Sequence, residues 1–112
     1  MDPSFSSVES LAIYTYLALV ERGGTQYVKV GHTAADLYGY LAKWQRYTTE
    51  AELVGYIVSS MASYEYLVLH LIKNAGLMPS LAREYFEGSS LESIEEIFYT
   101  VSAITGENYV PA

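Results

Sequence analysis

The chain has 112 residues, 51% of them hydrophobic and 17% charged, which excludes a wholly disordered polymer and leaves enough apolar material for the core of one domain. With no cysteine, a disulfide framework, a thiol nucleophile and a thiolate metal site are all excluded. The net charge of −7 is the reverse of the clustered lysine and arginine that tight nonspecific DNA binding needs, because phosphate contacts require positive charge. Residues 1–10 are polar and serine-rich, and read as an arm. They are acidic where a secretory signal would be basic. Residues 11–20, LAIYTYLALV, place Leu11, Ile13, Thr15, Leu17 and Leu19 on one face and Tyr14, Tyr16 and Val20 on the other. A strand apolar on both faces belongs in the middle of a sheet. Gly23-Gly24 then marks a hairpin turn, and residues 27–31 form the return strand, with Val28 and Val30 on one side and Tyr27 and Lys29 on the other.

Thr33 is placed to cap a helix, and Asp36 suits the positive end of its dipole. Leu37, Leu41 and Trp44 continue the helical period to about Arg46. Residues 52–60 read as a third strand, and a second helix starts at Ser60 or Ser63 and runs through Ala75, with Gly76 as its terminator. Pro79 and Gly88 bracket a short third helix. Ser89 and Glu92 fit a capping box for a last helix, whose buried stripe is Leu91, Ile94, Ile97, Phe98, Val101 and Ile104 and whose end is Gly106. Residues 107–112 are left as a tail. The order β-β-α-β-α-α-α predicts an α+β domain over residues 11–106, with a small, three-stranded, mainly antiparallel sheet flanked by helices.

Charge is unevenly distributed. Residues 10–75 hold five acids and five bases, whereas residues 76–112 hold six acids and only Arg83 as a base. The chain also has 12 tyrosines, which suit sheet packing and, equally, a contact surface. The apolar runs are too short to span a bilayer, so the expectation is a soluble, intracellular protein with no membrane partner.

The order of elements gives a context to short motifs. Ala12-Ile13-Tyr14 on the first strand, Lys29-Val30-Gly31 followed by His32-Thr33 on the second, YEYLVLH at 64–70 and AREYF at 82–86 together resemble the GIY-YIG superfamily, in particular its branch in phages and large DNA viruses. The resemblance covers about residues 11–104. It implies a metal-dependent phosphodiesterase fold, with Glu65 as the ligand of Mg²⁺ or Mn²⁺, Tyr14 orienting water or touching phosphate, and Lys29 supplying positive charge in place of the family's second tyrosine. It also implies a virus-associated setting.

Each residue has a plainer reading beside this one. Glu65 lies in a helix with no base three or four places on, so it is an exposed rim residue, a metal-site position, or the partner of a distant base. Tyr14 can simply pack in the sheet, and Lys29 can point outward from its strand. Gly31 is explained by a close approach that a side chain would block. His32, beside a helix start, can touch an anion or be merely solvated. His70 lies roughly 140° round the helix from Glu65, too far to share a metal through that helix, and is read as structural. The family's first-helix arginine would fall at Gly39, a residue that also weakens a helix by about 1 kcal/mol relative to alanine. Lys43, one turn on, is a candidate substitute base, and it lacks the forked guanidinium.

The missing arginine and the acidic balance favour a GIY-YIG-like domain that has lost nuclease activity and works as a binding or assembly module. Its partner would be a protein or a second copy, with weak nucleic-acid binding by the monomer and no cofactor. The alternatives are an active endonuclease that uses Mg²⁺ or Mn²⁺ with Tyr14, Lys29, His32, Lys43 and Glu65, and an unrelated α+β interaction or particle protein. No glycine-rich phosphate loop implies a nucleotide cofactor.

Overall fold

The computed structural model describes residues 12–34, 37, 39–40, 50–59 and 63–112. The elements in chain order are β1 (Ile13–Arg22), β2 (Thr25–Thr33), β3 (Glu50–Ser59), α1 (Glu65–Asn74), β4 (Tyr85–Glu87), α2 (Leu91–Thr105) and β5 (Tyr109–Pro111), with one 3₁₀ turn at Gly88–Ser90. The α+β class is as expected, but the sheet has five antiparallel strands, in the order β4-β2-β1-β3-β5, rather than three. β1 is the central strand, as its apolar character on both faces requires. The Gly23-Gly24 turn closes the β1–β2 hairpin at the Arg22–Thr25 pair. Its φ angles of 60° and 81° are those of the primed turns that match strand twist. β1 and β3 shift register at Leu17/Ala18.

The two additional strands are short segments that the sequence disguises. Residues 85–87, expected inside a helix, pair with Tyr27, Val28 and Lys29, and Phe86 enters the core. The supposed tail contributes β5, which pairs with Gly55, Tyr56 and Ile57 and buries Tyr109. A three-residue strand is too short to show a period, and both are held by partners distant in sequence.

The ends of elements also differ from expectation. Thr33 is the last residue of β2, buried and paired with Tyr14, and the first turn of the helix it was expected to cap lies largely outside the described residues. Leu37, Gly39 and Tyr40 are helical, while the remainder of that expected helix, including Lys43 and Trp44, lies outside the described residues, as does the N-terminal arm. The Ser89–Glu92 capping box does not form: Ser89 is in the 3₁₀ turn, and Ser90 occupies the N-cap with no side-chain cap. Ile94, Phe98 and Val101 make the buried stripe of α2, but Ile104 is 65% exposed. At 3.6 residues per turn it lies roughly 80° round the helix from Ile94.

The sheet separates two cores. Leu17, Val28, Val30 and Ile57 pack beneath α1 and α2 with Val68, Ile72, Ile94, Phe98 and Val101. On the opposite face Tyr16, Ala18 and Leu53 pack with Leu37, bordered by Tyr14, Tyr40 and Tyr56. Among the described residues no helix is long and apolar enough to cross a membrane.

Candidate functional site

Strand alternation decides where each candidate side chain stands. β2 sends Val28 and Val30 under the helices, so Lys29 and Gly31 face the opposite side and His32 returns to the helical side. On β1, Thr15 and Leu17 face the helices while Tyr14 and Tyr16 face the tyrosine cluster.

The helical side brings His32 and Glu65 together. Ser63 starts α1 by accepting a hydrogen bond from the Glu65 amide at 3.1 Å, and Thr15 Oγ1 on β1 accepts one from the Tyr64 amide at 2.9 Å. These two contacts fix the start of the helix against the sheet, and Glu65, in its first turn, reaches His32 across from Thr15. His32 Nδ1 lies 2.6 Å from Glu65 Oε2, with the Glu65 side chain 12% exposed and the histidine 51%. A contact this short is a hydrogen bond between the imidazole and the carboxylate, and it fixes the ring's orientation. Of the readings open for Glu65, its geometry is that of a carboxylate paired with a distant base.

This pair orients an imidazole beside the hydroxyls that fix the start of α1. The Thr15 hydroxyl already receives the Tyr64 amide. Among the described residues no group of three or more His, Asp or Glu side chains is close enough to hold an ion. Glu65 offers a single carboxylate, with Oε2 bonded to His32.

Tyr14 and Lys29 are on the other face. Tyr14 meets Tyr56 edge-on, with ring centroids 5.5 Å apart. Lys29 does not point outward to solvent: it is 3% exposed, its Nζ lies 3.3 Å from Glu84 Oε1, and it sits 5.4 Å from the Tyr16 ring centre and 5.5 Å from that of Tyr85. Among the described residues, Glu84 and the rings of Tyr16 and Tyr85 therefore stabilise the ammonium. Burial raises the pKa of Tyr16 strongly, and the neighbouring Tyr40 hydroxyl adds to the shift. Burial also raises Tyr85, with Arg22 opposing it. Gly31 belongs to this packing: a Cβ there would lie 2.6 Å from the Tyr16 hydroxyl and 3.0 Å from Lys29 Nζ. The close approach expected at Gly31 is thus made by a tyrosine side chain.

A third feature was not apparent from sequence. An open groove of about 450 Å³ runs between α1 and the segment leading into β4. Leu69, Ile72, Leu77 and Phe86 supply apolar lining, and His70, Lys73 and Arg83 supply the basic groups. Tyr66 and Met78 stand 78% and 77% exposed at its edge, and the Arg83 guanidinium lies 5.8 Å from the Tyr66 ring centre. The available signal was Tyr66-His70-Lys73, spaced i, i+4, i+7 along one side of an otherwise apolar helix.

Among the described residues, therefore, Glu65 and His32 meet, Tyr14 and Lys29 are on the opposite sheet face, and Lys43 is not described. No protein-family model, curated protein or solved structure matches the chain.

Proposed function

We propose that the protein is a binding or assembly module without nuclease chemistry. The observation that carries this reading is the placement of Lys29, enclosed by Glu84, Tyr16 and Tyr85 on the face of the sheet away from Glu65. Phosphodiester cleavage needs positive charge and metal-binding groups aimed at one reacting phosphate. Here the cation is committed inside a packed cluster, and the carboxylate is committed to an imidazole. Short sequence motifs resemble those of the GIY-YIG nucleases, but the reading does not depend on descent from them. The groove beside α1 offers the module a contact surface of apolar lining and basic edge.

One observation favours a second reading. The short His32–Glu65 contact presents an oriented imidazole to solvent, an arrangement able to move a proton. An active endonuclease would have to be built around that pair. Incubation of the purified chain with linear, branched and single-stranded DNA, and with RNA, in Mg²⁺ and in Mn²⁺ separates the two. The binding-module reading expects no cleavage. Cleavage that disappears in Glu65→Gln, with the fold intact by circular dichroism, would replace it with the nuclease.

A further inference from the structure

The large exposed apolar side chains fall into two groups with opposite electrical surroundings. Tyr66, Met78 and Leu81 lie on or near the groove, where Lys73 and Arg83 provide positive charge. These are two of the four described Lys and Arg residues, the others being Arg22 and Lys29. The second group is on α2, where Tyr99 is 51% exposed on the outer side and Ile104 is 65% exposed on the flank. Glu92, Glu96, Tyr99 and Ala103 follow i, i+4, i+7, i+11 spacing along that helix, and all four are exposed. No basic residue follows Arg83 in the chain.

The two patches are also at opposite ends of the sheet. Phe86 of β4, one edge strand, lines the groove. Tyr99 meets Tyr109 of β5, the other edge strand, edge-on at 4.7 Å between ring centres. They cannot meet within one molecule. We infer that the protein associates head to tail, the acidic outer stripe of α2 in one copy lying in the basic-edged groove of the next. Glu92 and Glu96 face Lys73 and Arg83, and Tyr99 covers the apolar lining. The inference rests on the binding-module reading and names its partner as a second copy.

A heterologous contact of this kind leaves a free groove at one end and a free helix at the other, so growth continues past the dimer unless a ring closes. Two acidic molecules repel at long range, but at physiological ionic strength that repulsion is screened beyond about 8 Å, and charge pairs in contact set the register.

Sedimentation velocity on the purified chain, from micromolar to near-millimolar concentration, tests the inference. The wild type should show a sedimentation coefficient that rises with concentration beyond that of a dimer. Lys73→Glu/Arg83→Glu and Glu92→Lys/Glu96→Lys, all at exposed positions, should each remain monomeric with unchanged circular dichroism. An equimolar mixture of the two variants should assemble again, because each stripe then meets a groove of opposite sign. A wild type that stays monomeric, or assembly that persists in either variant alone, overturns the inference. So does a monomer whose groove takes up only a small anionic aromatic dye such as anilinonaphthalenesulfonate. None of these results bears on nucleic-acid cleavage, so failure of self-association and failure of the binding-module reading are read from separate experiments.

Discussion

The two faces of the central sheet are built on the same strands and hold together differently. Under α1 and α2 the contacts are aliphatic and phenyl: Leu17, Val28, Val30, Ile57, Val68, Ile72 and Phe98 interlock. On the other face Tyr16, Lys29 and Tyr85 crowd around Gly31, with Glu84 neutralising the ammonium. The first face is stabilised by removing apolar surface from water, which has no directional requirement. The second also needs polar tips and a charge to be placed in a tight space, so its tolerance is set by geometry. The difference shows how one strand can carry two chemistries that never meet: neighbours in sequence such as Lys29 and Val30 work in separate cores.

The largest effect should come from opening the helical face. Phe98 is fully buried there and packs edge-on against Tyr109 at 5.6 Å. Phe98→Ala should cost about 3–5 kcal/mol, read as a lowered denaturant midpoint with little change in slope. Crowding should dominate on the other face. Gly31→Ala adds a single methyl, yet forces the buried Tyr16 ring to move and should cost about 1–3 kcal/mol. Combining it with Tyr16→Phe should recover only part of that loss, because the ring carbon bearing the hydroxyl would still be 2.7 Å from the new methyl. Full additivity of the two substitutions would break the comparison.

The smallest effect at neutral pH should be that of Tyr16→Phe alone, within about 1 kcal/mol of wild type, since the hydroxyl it removes is buried without a well-formed hydrogen bond. Alkali should enlarge the difference. Burial holds the folded phenol protonated above its ordinary pKa of 10.0. The unfolded chain therefore ionises first, the folded state binds more protons, and stability falls as pH climbs past about 10. Tyr16→Phe removes one such group, so its unfolding free energy should decline less steeply there than that of wild type. Parallel curves would mean that Tyr16 is not the titrating group.

The two faces also explain what could be read from sequence. β1, β2 and their hairpin were legible because Leu17 and Tyr16 alternate through a run with no polar break and two glycines end it. β3 and the helices from Glu65 and Leu91 were legible from apolar periodicity, within a few residues at their ends. β4 and β5 were not, since Tyr85 and Tyr109 become strand residues only through partners 56 and 52 positions away, Lys29 and Ile57. For the candidate site, period-two alternation already put Lys29 on the face opposite Val28 and Val30. Which face α1 would cover was not encoded locally, so neither the His32–Glu65 contact nor the Lys29–Glu84 pair could be foreseen from spacing. Periodicity captured β1 to β3 and the helices from Glu65 and Leu91, while the remaining strands and the contacts depend on packing between distant segments.

The shortness of the outermost strands bears on how the molecule can and cannot aggregate. β2 and β3 are nine and ten residues long, and each would otherwise expose a ladder of amide and carbonyl groups able to recruit a foreign chain. β4, with the Val30 amide bonded to the Glu84 carbonyl, and β5, with the Ala112 amide bonded to the Val54 carbonyl, occupy part of each ladder. The three-residue clasps themselves present too little backbone to template cross-β growth. Amyloid-like stacking would first have to peel one of them away, so loss of the final few residues should be the shortest route from this fold to fibrils.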